Sequence, residues 1–182
     1  NQFYGNFNGS GYTISGLTIN RPETNYVGLF GWAREANLSF IGLVDVNIIG
    51  KQRVGALAGQ LRDNSWADNC YSTGNVKGQL FASGLVGNLY YGSTIVTCYS
   101  SVNVEMVLSP DGNQQAGGLV GRASYNSFIL NSFATGKVQG LTSFTGGLIA
   151  LVTDGTIVEN CYATGEIFGE RSVGGLVGAL QL

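Results

Sequence analysis

The chain has 182 residues, 11% of them charged, a formal net charge of −2 and no histidine. At that length a chain can bury a substantial core, whereas a nucleic-acid or anionic-membrane surface would need a run of basic residues that is absent. Without histidine, the commonest general base and metal ligand, catalysis would fall to carboxylates, Lys, Tyr or Cys. Glycine is abundant (29 residues) while proline occurs only at Pro22 and Pro110. With the Val, Ile, Thr, Tyr and Phe content, this points to many short strands and tight turns. No helical 3.6-residue pattern of useful length appears, and no apolar run approaches the roughly 20 residues of a membrane-crossing helix.

In chain order, FYGNFNGSGYTISGLTIN (3–20) reads as an opening coil covering residues 1–26, with Gly5, Gly9 and Gly11 in turns. From residue 27 to 182 the chain repeats. A Gly-apolar cluster recurs as VGLFG (27–31), VGALAG (54–59), ASGLVG (82–87), AGGLVG (116–121), TGGLIA (145–150) and VGGLVG (173–178), in steps of 28, 28, 34, 29 and 28 residues. A second cluster follows each of the first five: IGLVDVNIIG, NCYSTGNVKG, TCYSSVNVEM, NSFATGKVQG and NCYATGEIFG. The extra residues of the long step fall between Met106 and Ala116, in the Pro-Asp-Gly turn of VLSPDGNQQ. An insertion confined to one turn, in register on both sides, marks a stacked architecture. No single unit can bury its own apolar face, but stacked units share a continuous core. The expectation is an all-β, right-handed parallel β-helix of about six coils of about 28 residues, three short strands per coil. The opening coil belongs to the same domain. The chain stops inside a repeat, so it reads as a piece of a longer one.

GGLVG followed by the NCYSTG pattern resembles the GLUG repeat of bacterial secreted and surface proteins, and the opening segment is similar to the one that often precedes such repeats. The resemblance covers nearly the whole chain. It implies a parallel β-helix, export and an extracellular or cell-surface setting. Such repeats accompany immunoglobulin A-cleaving metallopeptidases and adhesin-like proteins. The peptidase zinc motif needs histidine, so no catalytic role is carried over.

Stacking places equivalent residues in columns about 4.8 Å apart. Gly42, Cys70, Cys98, Ser132 and Cys161 are small and assigned inward; Leu43, Tyr71, Tyr99, Phe133 and Tyr162 then point outward by alternation. Upstream, Ala67, Ile95, Ile129 and Val158 form an apolar column of the opposite parity, which a strict strand cannot accommodate. A corner is therefore expected at Asn69, Asn131 and Asn160, with Ile41 and Thr97 as imperfect members, because Asn tolerates left-handed backbone. If the corner lies elsewhere, tyrosine turns in and cysteine out.

Zinc sites favour closely spaced Cys or His. Cys70, Cys98 and Cys161 instead occupy one position per coil. Adjacent in-register side chains aim poorly for a disulfide, and two coils, about 10 Å, exceed its reach. They read as small ladder residues. GGLVGR is no phosphate loop; its glycines serve corners. Glu35, Asp63 and Asp154 share a turn column with Tyr91 and Tyr125, flanked by Arg34 and Arg62, and read as solvated turn charge. That turn, or Asp111 with Asn113, is the remaining place for a cation. No catalytic residue, cofactor or metal is assigned. The leading candidates are aromatic: the stripe Tyr71, Tyr99, Phe133 and Tyr162, with Trp32, Tyr90, Tyr91 and Tyr125 near the adjacent turn. Exposed rings suit a glycan or a host or surface protein; the other reading is a packing ladder under a neighbouring loop or flanking domain. The chain is expected to be a non-enzymatic adhesive, binding or spacer module. The second reading is an accessory module of a secreted peptidase or a polysaccharide-active β-helix enzyme.

Overall fold

The structure is a computed structural model that describes residues 2–110, 112–141 and 143–181. Among them there are strands and turns and no helix, and every strand pair is parallel. Strands stack into sheets of 11, 9 and 4 members, one sheet per side of a β-solenoid of about six turns. The coil from residue 58 shows the plan. Ala58–Arg62 and Trp66–Asp68 lie in the first sheet, Tyr71–Gly78 in the second, and Phe81–Ser83 opens the third. The third sheet is made from the residues just ahead of each GLVG segment, so this coil carries four strands where three were expected. The three strands Phe3–Asn8, Thr13–Ser15 and Thr18–Asn20 stack in parallel on the next coil.

Two corners in left-handed backbone shape each coil. The first follows the GLVG strand and uses two residues, as at Asp63–Asn64 (φ 56° and 59°) and Tyr125–Asn126 (φ 56° and 55°). The second uses one residue and resolves the parity conflict: Asn69, Asn131 and Asn160 sit at φ 52°, 50° and 53°, and Thr97 at 53°. In the remaining coil the corner is Phe40 (φ 53°), not Ile41. The reason is local. That coil turns on Glu35 alone (φ 48°), so its residues run one place ahead until a bulge between Leu43 and Val46 restores register. Leu43 consequently faces the core, fully buried, and Gly42 takes the outward place beside Tyr71. The other columns stand as expected, with Cys70, Cys98 and Ser132 buried and the rings of Tyr71, Tyr99 and Phe133 outside.

Leu57, Leu85, Leu119 and Leu148 stack along the core with Ile95, Ile129, Val76 and Val104. Each fully buried side chain of this kind is worth about 1.5–3 kcal/mol of apolar transfer. The insertion leaves the corner with Val107 and Leu108 exposed. Gln114 closes it, its Nε2 donating to the carbonyls of Val107 (2.6 Å) and Gln79 (2.9 Å). Pairing then resumes at Gln115 and Phe81. Asp111 lies outside the described residues.

Candidate functional site

The aromatic stripe is a continuous stack. Centroids of Tyr71 and Tyr99, Tyr99 and Phe133, and Phe133 and Tyr162 lie 4.9, 4.9 and 4.8 Å apart, with planes within 4° of parallel. That spacing is the rung spacing, so the backbone ladder sets it. Each inner ring spends both faces on its neighbours and offers partners its outer edge, and burial raises the Tyr99 phenol above its ordinary pKa. Tyr162, 52% exposed, keeps the freest surface of the four. The ring of Tyr71 lies over Gly42, where an added Cβ would stand 2.6 Å from it. Beside the stack runs a shallow channel whose other bank is the corner column of Phe40, Asn69, Thr97 and Asn131.

The remaining candidates lie elsewhere. Tyr90, Tyr91 and Tyr125 form a three-ring cluster with centroids 4.3, 4.7 and 4.9 Å apart. Burial, followed by the contacts of Tyr125 and Tyr91, pushes the Tyr90 phenol well up, so it stays neutral. Tyr91 and Tyr125 occupy left-handed turn positions (φ 47° and 56°), an uncommon place for bulky residues. Trp32 stacks on Tyr26 at 5.0 Å. The guanidinium of Arg62 lies 5.7 Å from the Trp32 ring, 6.0 Å from Tyr90 and 5.3 Å from Tyr91, and joins the two groups. The eight aromatic residues thus divide into a ladder on one side and a turn-and-groove set on another.

The groove was not anticipated. Its first wall is the residue ahead of each Gly-apolar cluster, such as Tyr26, Arg53 and Phe81. Its second wall is the residue after the last glycine, such as Gln60, Asn88 and Arg122. Arg53, Arg62 and Arg122, half of the six arginines, meet there although no two are adjacent in sequence. The signal was present in the repeat alignment, but as two columns that looked unrelated.

The cysteines behave as ladder residues. All three are free thiols. The Cys70 amide donates to Cys98 Sγ (3.3 Å), and the Cys98 amide to Ser132 Oγ (3.1 Å). Each Sγ also donates to a backbone carbonyl of its own coil, as Ser132 Oγ does. Burial pushes the Cys98 and Cys161 thiols up, away from the thiolate that metal binding or nucleophilic attack requires. Among the described residues no cluster of three or more metal-type side chains occurs. At the carboxylate turn, Asp63 forms ion pairs with Arg34 (2.6 Å) and Arg62 (3.0 Å), a partly exposed cluster whose pairs are each worth under about 1 kcal/mol.

With this geometry in hand, the comparisons with known proteins are direct. Residues 112–139 and 145–167, which belong to two successive repeats, match the family described as the GLUG motif. It is 32% identical over 141 residues to halomucin of Haloquadratum walsbyi, a match covering 75% of this chain and 2% of that protein. It is also 41% identical over 70 residues to a protein of Evansella cellulosilytica provisionally named a Gly-rich membrane protein, a match covering 36% of this chain and 8% of that one. The chain therefore spans a small part of the curated relatives it matches. Among solved structures, a Bacteroides ovatus protein provisionally named an immunoglobulin A1 protease superposes with a TM-score of 0.75. That match has 23% identity and covers 94% of this chain and 55% of the other, a likeness of fold.

Proposed function

We propose that the chain is a non-catalytic binding module of an exported surface protein, acting by presenting fixed columns of outward side chains to a glycan or a surface protein. The observation that carries this reading is the in-register ring stack. Four aromatic residues held at one rung spacing form a preorganised strip, which lowers the ordering cost of binding. The names of the relatives, halomucin and a Gly-rich membrane protein, agree with a surface setting. The test is binding of the chain, wild type and with Tyr99→Ala and Tyr162→Ala, to arrays of glycans and extracellular proteins. A specific ligand lost in the variants is expected; no ligand, or binding unchanged by both substitutions, contradicts the role of the strip.

The likeness to the Bacteroides ovatus protein favours a second reading, an accessory module beside a peptidase. Proteolysis assays on immunoglobulin A with the full-length protein, with and without this module, test it: a module-dependent rate supports it, and an unchanged rate rejects it.

A further inference from the structure

The groove between the third sheet and the first holds polar atoms that the fold leaves without partners. Among the described residues, Trp32 Nε1 and Arg53 Nε are buried donors with no acceptor, and Asn88 Oδ1 and Gln115 Oε1 are buried acceptors with no donor. Asn88 and Gln115 are 4% and 3% exposed, yet both line the groove. Three of these groups line one stretch of the groove and Gln115 lines the next, with Phe81 and Arg122 common to both. Such unsatisfied groups mark a place where a ligand completes the hydrogen bonding. We propose that this groove binds an acidic saccharide chain of the uronic-acid type. The inference rests on the module being a binding one and assigns it a site apart from the ring stack.

Three features select that chemistry. The unpartnered donors Trp32 Nε1 and Arg53 Nε stand on two successive rungs and the acceptors Asn88 Oδ1 and Gln115 Oε1 on the next two. Hydroxyl groups, which both donate and accept, match such a lining. The backbone there is already spent: Val27 N donates to Arg53 O (3.0 Å) and Val54 N to Phe81 O (2.7 Å). An extended peptide would find no free strand edge. Arg53 and Arg122 have no carboxylate partner among the described residues, while Arg34 and Arg62 share Asp63. Arg53 is held between the rings of Tyr26 and Phe81, 4.9 and 5.4 Å from their centroids, so its charge is fixed in place. The two unpaired guanidiniums stand two rungs apart, about 10 Å along the axis. Carboxylates on alternate residues of a sugar chain lying along the groove reach both. A stacking nucleic acid is disfavoured because Tyr26 and Trp32 already face each other.

The test is calorimetric titration of the whole chain with hexagalacturonate, its methyl ester and hexathymidylate. Hexagalacturonate is expected to bind, and the ester and the Arg122→Gln variant to bind at least about tenfold more weakly. Lys137→Gln, which removes an exposed cation on the side of the second sheet, is expected to match wild type. Asn88→Ala is expected to weaken binding without altering the preference for acid over ester. The proposal is overturned by no binding of hexagalacturonate, by equal binding of the ester, by undiminished binding to Arg122→Gln, or by tighter binding of hexathymidylate. Should that variant not fold, the acid-versus-ester comparison on the unaltered chain decides. Failure of hexagalacturonate alongside a positive array ligand removes this site and leaves the module reading standing.

Discussion

At the residue scale the corner column is the most informative feature. Asparagine was legible there because its side chain and tolerance of left-handed backbone suit a one-residue bend, and the parity conflict demanded one. Thr97 shares the conformation without that tolerance, and a β-branched residue at φ 53° is strained. Thr97→Asn is therefore expected to stabilise the fold by about 1 kcal/mol, read from denaturant midpoints. The cysteines allow a second test. Cys98 and Cys161 have folded pKa values raised by burial. The unfolded chain loses these protons near an ordinary value of about 8.5 while the folded chain keeps them. Their contribution is thus whole below about pH 8.5 and lost as pH climbs towards the folded values. Cys161→Ser should flatten the alkaline fall in stability while keeping the ladder, because Ser132 already makes the same contacts. Cys98 is left in place because it lowers the neighbouring Cys70 thiol, so the two shifts oppose each other. An unchanged slope would mean other groups titrate.

At the element scale, repeat period and strand pairing were readable because side-chain alternation and turn residues recur together, and the six-residue insertion announced itself through Pro110. Two things were not readable. The single-residue turn at Glu35 and the compensating bulge near Asp45 leave the repeat length at 28, so counting along the sequence conceals a one-place offset that only backbone pairing reveals. The groove was hidden for a different reason: its walls come from the two ends of each Gly-apolar cluster. At Gly87 an added Cβ would meet Val54 N at 2.6 Å, so the chain doubles back against itself there. Val107 and Leu108, at the start of the insertion, stand exposed. Deleting residues 108–113 is expected to cost less than about 1 kcal/mol, since shortening a surface loop changes closure entropy slowly. A loss several-fold larger in urea unfolding would show that the loop supports the rod.

At the scale of the whole molecule, the solenoid turns a repeated sequence into straight columns, and everything proposed for it follows from that. Fold class was fully legible because every repeat states it again. Function was legible only as a kind of surface, because outward residues answer to a partner and not to the core. Rings that looked like free sugar-stacking faces spend those faces on one another, and three arginines scattered in sequence converge. The central claim is binding by fixed geometry without turnover. The most direct measurement immobilises the chain on beads, lets glycan-coated surfaces adhere, and weighs the recovered glycan by mass spectrometry after long incubation. The account predicts adhesion above bare beads with the glycan recovered at unchanged mass; shortened glycan with new chain ends, or adhesion no better than bare beads, would contradict it.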